Sequence, residues 1–105
     1  MQFIETTVFT RRIVQEISDD EYRELQELLL ARPTEGDLIR ETGGLRKLRW
    51  AKQDRGKRGG LRIIYYWHAG RRVFLMLYVY PKNERGDLSA AERRVLARIV
   101  QQEFK

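Results

Sequence analysis

Residues 61–80 read LRIIYYWHAGRRVFLMLYVY. The two apolar runs in this stretch, 61–68 and 73–80, are rich in β-branched and aromatic residues, which is typical of buried strands. The four residues between them, at 69–72, suit a tight connection between antiparallel neighbours. Pro81 follows immediately and ends the second run, because proline cannot donate to a sheet ladder. The stretch therefore predicts a β-hairpin.

The segments before this hairpin predict one strand and one or two helices. Residues 3–9 alternate in a strand-like pattern, and residues 10–17 could form a short helix. Ser18 is placed to cap a longer helix, with Glu21 three positions on as in a capping box. Pro33 ends that helix. The N-terminal part thus predicts a strand followed by helical segments.

The segments next to the hairpin complete the order of elements. Residues 33–44 read as a connection, 45–51 as a strand and 52–60 as a basic, glycine-rich loop. Ser89 and Glu92 predict the start of a final amphipathic helix. The order predicts an α+β fold, with a small antiparallel-rich sheet. The N-terminal helices and the C-terminal helix are expected to pack mainly on one face, leaving the other face partly open.

Length and composition restrict the class of protein. The chain of 105 residues is expected to form a single domain, residues 1–105. It has no cysteine and one histidine, so neither disulfides nor a metal site are expected, and no cofactor is implied. Its apolar runs are too short for a membrane span, and no signal peptide is recognised at the N-terminus. We therefore expect a cytoplasmic protein without a membrane partner.

Charge is distributed unevenly along the chain. Residues 1–44 carry five Lys and Arg against ten Asp and Glu, a net charge of −5, whereas residues 45–105 carry sixteen against five, a net charge of +11. Residues 47–62 alone hold seven cations and a single acid, Asp54. Charge segregated in this way favours a polyanionic partner. The alternative is a scattered, solvating basic surface.

Hairpin geometry predicts that cations from separate segments meet. A turn centred on residues 70 and 71 places Arg62 near Val79, and a second hairpin centred near Gly56 places Arg62 opposite Trp50. Strand alternation then brings neighbouring cations to one face and one end of the sheet. The predicted cluster consists of Lys47, Arg49, Arg62 and Lys82. Four further cations would overhang it from the loop: Lys52, Arg55, Lys57 and Arg58.

Clustered cations of this kind suit a ligand rich in phosphate. Their mutual repulsion and lost hydration are offset when an anion binds among them, and Arg binds phosphate through two parallel hydrogen bonds. Glycines at 56, 59 and 60 would let the backbone approach such a ligand. The aromatic residues could stack bases, although filling the core is the other interpretation for each ring. These aromatic residues are Tyr65, Tyr66, Trp67, Tyr78 and Tyr80.

Two stretches resemble a known family. The run GGLRKLRWAKQDRGKRGGLRIIYYW, starting at Gly43, and the run LYVYPKNERGDLSAAERRVL, ending at Leu96, resemble the RelE/HigB-like toxins of bacterial type II toxin–antitoxin modules, in the RelE/ParE superfamily. The resemblance implies a RelE-like fold and a ribosome-dependent endoribonuclease that cuts mRNA in the decoding site. It also implies a cognate antitoxin as partner; the toxin alone is expected to be monomeric.

The resemblance also implies which residues form the site. The basic strand residues of the family correspond to Lys47 and Arg49, its strand-start arginine to Arg62, and its segment after the last strand to Lys82 and Asn83. Some relatives have an arginine in place of Asn83. Some have a catalytic tyrosine or histidine where this chain has the segment 87–89, Asp-Leu-Ser.

The implied reaction is a transesterification in which the RNA 2′-hydroxyl attacks the adjacent phosphate. We assign stabilisation of the developing charge to Arg62, assisted by Lys82 and Arg49. Lys47 could act either as a base or as a phosphate anchor. Glu84 is expected to orient Arg62 or Lys82 through an ion pair.

Other basic and titratable residues leave two interpretations each. His68 is expected to be structural or solvated. Arg94 and Arg98, with Arg93, form either a solvated helix face or a contact with ribosomal RNA.

Three alternative functions share parts of this pattern. An RNA-binding module without catalysis would carry the same basic cluster. A ParE-like toxin would share the fold and act on DNA gyrase. An inert interaction domain would cause no growth arrest when overexpressed.

Overall fold

The computed structural model describes residues 1–51 and 60–105. Its sheet has the strand order β1-β5-β4-β3-β2, with β1 parallel to β5 and the other neighbours antiparallel. The α+β class and the antiparallel-rich sheet are confirmed. The elements are β1 Gln2–Glu5, α1 Thr7–Glu16, α2 Asp19–Ala31, β2 Asp37–Leu38, β3 Arg46–Trp50, β4 Leu61–His68, β5 Val73–Pro81 and α3 Ala90–Glu103.

The predicted hairpin is confirmed as β4 and β5, but its register changes along its length. Near the turn His68 faces Val73, as a turn centred on residues 70 and 71 requires. A β-bulge between Ile64 and Tyr65 then shifts the pairing by one residue. Arg62 consequently faces Tyr80, and the predicted pairing with Val79 is wrong.

The first strand is shorter than the sequence pattern predicts. β1 ends at Glu5, and α1 begins at Thr7, inside the segment 3–9 that alternation assigns to a strand. Thr6 causes the change, because its side chain accepts a hydrogen bond of 3.1 Å from the backbone N–H of Phe9 and caps the helix. Phe9 is thereby turned into the core, where it is fully buried.

The ends of α2 agree with the sequence prediction. The Ser18 side chain accepts a hydrogen bond from the backbone N–H of Glu21, and the helix ends at Ala31, before Pro33. The carboxylate of Glu21 accepts a hydrogen bond of 3.0 Å from the indole of Trp50. This bond ties α2 to the end of β3.

The helices lie on both faces of the sheet, which corrects the expectation that they pack mainly on one. Alternate residues of β4 and β5 are apolar on both sides, so each face needs a covering layer. The α1 and α2 face contains Phe9, Ile13, Ile17, Leu25, Leu29, Leu48, Leu61, Ile63, Tyr65, Phe74, Met76 and Val79. The opposite face, covered by α3, contains Leu45, Ile64, Leu75, Leu77, Tyr80, Leu88 and Val100.

The cover provided by α3 is limited to one part of its face. Phe104, directly after the helix, contacts Tyr66 and His68, with ring centroids 5.6 and 4.6 Å apart. The start of β4 and the neighbouring end of β3 carry charged side chains instead. In the described part of the chain, no helix has the length and hydropathy needed to span a bilayer.

Candidate functional site

The candidate site begins with two arginines on neighbouring strands. Arg49 of β3 lies directly opposite Arg62 of β4 in the antiparallel register. The sequence-derived register, which placed Trp50 opposite Arg62, is wrong by one residue. Since Leu48 belongs to the core under α1 and α2, strand alternation directs Arg49 and Lys47 to the face that carries α3.

The segment that follows β5 brings a further cation to the same place. The backbone N–H of Lys82 donates a hydrogen bond of 3.0 Å to the carbonyl oxygen of Gly60. Gly60 lies so close to β3 that an added Cβ would be 1.9 Å from the carbonyl oxygen of Trp50. The glycine is therefore required by contact between two backbones, and its role in the approach of a ligand stays a prediction.

The cations of β3, of β4 and of the segment after β5 line one open cavity of about 340 Å³ at the end of the sheet. The four cations predicted to be catalytic all belong to its wall, together with Asn83. The catalytic roles themselves stay predictions. The cavity is lined by Lys47, Arg49, Arg62, Tyr80, Lys82, Asn83, Arg85, Gly86 and Asp87.

Most of the cations in this cavity lack a counter-ion from the described residues. Within residues 1–51 and 60–105, no carboxylate oxygen lies within 4.0 Å of the charged nitrogens of Arg49, Arg62 or Lys82. Like charges directly opposite each other on paired strands repel. The wall of the cavity therefore favours an anion as its occupant.

Among the described residues, Asp87 provides the one carboxylate of this cavity wall. Its Oδ1 accepts a hydrogen bond of 2.8 Å from the Nζ of Lys47. This bond, together with the charges of Lys47, Arg49 and Arg62, lowers the pKa of Asp87 below the usual value for aspartate. No role was predicted for Asp87 from the sequence. The sequence did show that Asp87 lies only five residues after Lys82, in the segment between β5 and α3.

Tyr80 supplies a neutral polar group to the cavity wall. It is 1% exposed, which favours the interpretation as a core residue over stacking on a base. Burial, followed by the charge of Asp87, raises the pKa of Tyr80, so its hydroxyl is protonated at neutral pH. The guanidinium of Arg85 lies over its ring, 5.5 Å from the centroid.

Ion pairs hold the segment between β5 and α3 in place. Glu84 accepts two hydrogen bonds of 2.7 and 2.9 Å from Arg12 of α1, so the expectation that it orients Arg62 or Lys82 is wrong. Arg85 pairs with Glu92, which is also the capping-box partner of the N-cap residue of α3. The hydrogen bonds that Glu92 accepts from Arg85, and the one it accepts from the backbone N–H of Ser89, lower the pKa of Glu92 to about 2.

The structure does not place every predicted residue at the cavity. Arg94 and Arg98 are exposed on α3 and are not among the residues that line it. The Nδ1 of His68 accepts a hydrogen bond from the backbone N–H of Arg71, which agrees with a structural role. Four predicted RNA-binding cations lie outside the described residues: Lys52, Arg55, Lys57 and Arg58.

The described part of the chain also contains no metal-like cluster. Among residues 1–51 and 60–105, no three or more His, Asp or Glu side chains are grouped so that they could hold an ion. The described cavity offers a ligand contacts with cationic side chains.

The comparison with protein families gives one match over the full length of the sequence. Residues 1–105 match the family described as the RelE toxin of the RelE / RelB toxin–antitoxin system. The resemblance stated from the two sequence stretches is confirmed at the level of this family. The assignment to the HigB-like subgroup stays a prediction.

Proposed function

Because the chain belongs to the RelE toxin family of toxin–antitoxin systems, we propose that it is an endoribonuclease that cuts mRNA in the decoding site of the ribosome. The observation that carries this proposal is the convergence of Arg49, Arg62 and Lys82 on one open cavity. Three chain segments contribute these cations, and none of the three forms an ion pair with a described carboxylate. We propose that the reaction needs no cofactor.

The proposed reaction is an attack of the RNA 2′-hydroxyl on the neighbouring phosphorus, with departure of the 5′-oxygen. A 2′,3′-cyclic phosphate and a 5′-hydroxyl result. Negative charge grows on the phosphate oxygens in the transition state, and the paired guanidiniums of Arg49 and Arg62 supply fixed donors at that point. Lys82 adds a point charge from the segment after β5.

Three contributors bear on proton transfer and positioning: Lys47, Tyr80 and the ribosome. Lys47 already donates a hydrogen bond to Asp87, which suits a phosphate anchor better than a proton acceptor. The protonated hydroxyl of Tyr80 can donate a hydrogen bond to a phosphate or to the leaving oxygen. We propose that the ribosome contributes to positioning the attacking 2′-hydroxyl.

A cognate antitoxin of the RelB type is the expected partner, as the family description implies. The segment 45–105, with its net charge of +11, would attract an acidic or amphipathic part of that antitoxin. We propose that the antitoxin neutralises the toxin by covering the basic surface or by packing against the sheet.

The test of the proposed function is Arg62→Ala, assayed with translating ribosomes and a defined mRNA. The cleavage rate should fall by about a hundredfold to a thousandfold, because one fixed donor to the transition state is lost. Arg23→Ala is the matched control, since Arg23 is exposed on α2 and its ion pair within residues 1–51 and 60–105 is with the equally exposed Asp20. It should leave the rate unchanged.

Three outcomes would contradict the proposal. Full cleavage by a folded Arg62→Ala protein would remove Arg62 from the mechanism. Intact mRNA with the unmodified protein would favour an RNA-binding module. Inhibition of gyrase supercoiling, without mRNA cleavage, would favour the ParE-like alternative.

A further inference from the structure

The Lys47–Asp87 ion pair stands between two cavities. The first is the cavity of about 340 Å³ that contains Arg62 and Lys82. The second, of about 410 Å³, opens on the side of β2 and of α3. Both cavities share Lys47, Arg49 and Asp87 in their walls. The second cavity is lined by Asp37, Leu38, Ile39, Arg40, Glu41, Lys47, Arg49, Ile64, Asp87, Leu88 and Arg93.

Asp87 reaches this position from a segment that is fixed on both sides. Glu84 is held by Arg12, and Arg85 is held by Glu92 and also donates a hydrogen bond of 3.3 Å to the backbone carbonyl of Asp87. The backbone that carries the Asp87 carboxylate is thus anchored to α1 and to α3. The ion pair with Lys47 can open by side-chain rotation alone.

The two members of this ion pair differ strongly in exposure. The side chain of Lys47 is 20% exposed, whereas that of Asp87 is 82% exposed. A carboxylate that is nearly surrounded by water regains its hydration at once when it leaves the ammonium group. The ammonium group of Lys47 is the half-buried partner, and it needs another anion when Asp87 departs.

We propose that Asp87 is an internal counter-ion that a phosphodiester of the substrate displaces from Lys47. In the free protein its carboxylate occupies the place of a phosphate oxygen on the ammonium group. When a nucleotide chain binds, one of its phosphates takes over this contact, and the two cavities become one continuous groove. The identification of that chain as mRNA rests on the proposed function; the displacement itself requires only a polyanion.

The consequence is a competition between Asp87 and the ligand for Lys47. Removing the carboxylate should therefore strengthen binding of any ligand that uses this contact. A general change of net charge would also strengthen binding, so the test needs a variant with the same change of charge outside both cavities. Glu103 provides it, because it is exposed at the end of α3 and lines neither cavity.

The experiment compares Asp87→Asn, Glu103→Gln and the unmodified protein. The probe is a fluorescent, mixed-sequence 2′-O-methyl RNA oligonucleotide, which cannot be cut by 2′-hydroxyl attack. Its dissociation constant is measured by fluorescence anisotropy near physiological salt, with inorganic pyrophosphate as a competitor. Asp87→Asn should bind about twofold to fivefold more tightly, in line with the loss of one exposed ion pair. Glu103→Gln should differ from the unmodified protein by much less.

Each other outcome decides against the proposal. Equal strengthening in both variants would mean that only net charge matters. Unchanged or weaker binding by Asp87→Asn would show that Asp87 does not compete with the ligand. The result is separable from the proposed function, because a protein that leaves mRNA intact on ribosomes can still show the difference between the two variants.

Discussion

The two faces of the sheet differ in how completely they are covered and in the charge they carry. The face under α1 and α2 is a closed apolar layer, in which Phe9, Leu25 and Leu29 are fully buried. The face under α3 is closed only along β5 and the far half of β4, and its remaining end carries Lys47 and Arg62. The closed apolar layer under α1 and α2 and the candidate site therefore lie on opposite sides of the same strands. Substitutions on each side should therefore have separable effects.

The largest effect is expected on the closed face. Phe9→Ala should lower the free energy of unfolding by about 3–5 kcal/mol, because it removes a fully buried ring and leaves a cavity. Val14→Ala is the matched control on the same helix, where the side chain is 65% exposed, and it should change stability by less than about 0.5 kcal/mol. Urea unfolding at neutral pH measures both. Similar losses in the two variants would contradict the view of this face as the stabilising one.

An intermediate effect is expected at the charged border of the open face, where Arg85 lowers the pKa of Glu92. The carboxyl of Glu92 should titrate near pH 2 in the folded protein, against about 4.5 for an ordinary glutamate. The folded-state pKa is depressed, so the stabilisation is fully present above about pH 4.5 and is lost as the pH falls toward about 2.

This titration can be followed by NMR of the Glu92 carboxyl carbon. In Arg85→Gln the midpoint should rise toward the ordinary value without reaching it, because the backbone N–H of Ser89 still donates to the carboxylate. Arg23→Gln, which removes a distant guanidinium, should leave the midpoint near 2. An unchanged midpoint in Arg85→Gln would show that this ion pair does not hold the charge of Glu92.

The smallest effect is expected within the site. Arg49→Gln should raise the free energy of unfolding by about 0.2–1 kcal/mol at low salt, because it relieves repulsion with the directly opposite Arg62. The gain should diminish in 1 M salt, where charges are screened within a few ångströms. Arg98→Gln, on the exposed side of α3, gives the same change of net charge without an opposite arginine. A loss of stability in Arg49→Gln would mean that the site is not under repulsion.

The hairpin and the helix caps were predictable because each depends on neighbours in the sequence. The strands β4 and β5 are marked by apolar runs and by Pro81, and the capping box of α3 by Ser89 and Glu92. The grouping of Arg49, Arg62 and Lys82 followed from strand alternation and short connections.

Other features depend on contacts that no local pattern encodes. The β-bulge at Ile64 shifts the register of β4 and β5. The hydroxyl of Thr6 caps α1, so a helix begins where the alternating pattern predicts a strand. The apolar stripe of α3 shows that the helix packs on a surface, but it does not specify which face of the sheet. The role of Asp87 depends on a contact with Lys47, forty residues earlier, and the position of Asp87 in a connecting segment does not specify that contact.

The parallel pairing of β1 with β5 has a consequence for synthesis of the chain. Gln2 pairs with Val73, a separation of 71 residues. The first strand to be synthesised, β1, therefore cannot pair until the last strand, β5, has been made. Long-range pairing of this kind slows folding. A nascent chain that ends before residue 82 also lacks a wall of the cationic cavity. Most of the polypeptide must therefore be synthesised before the cationic cavity can form.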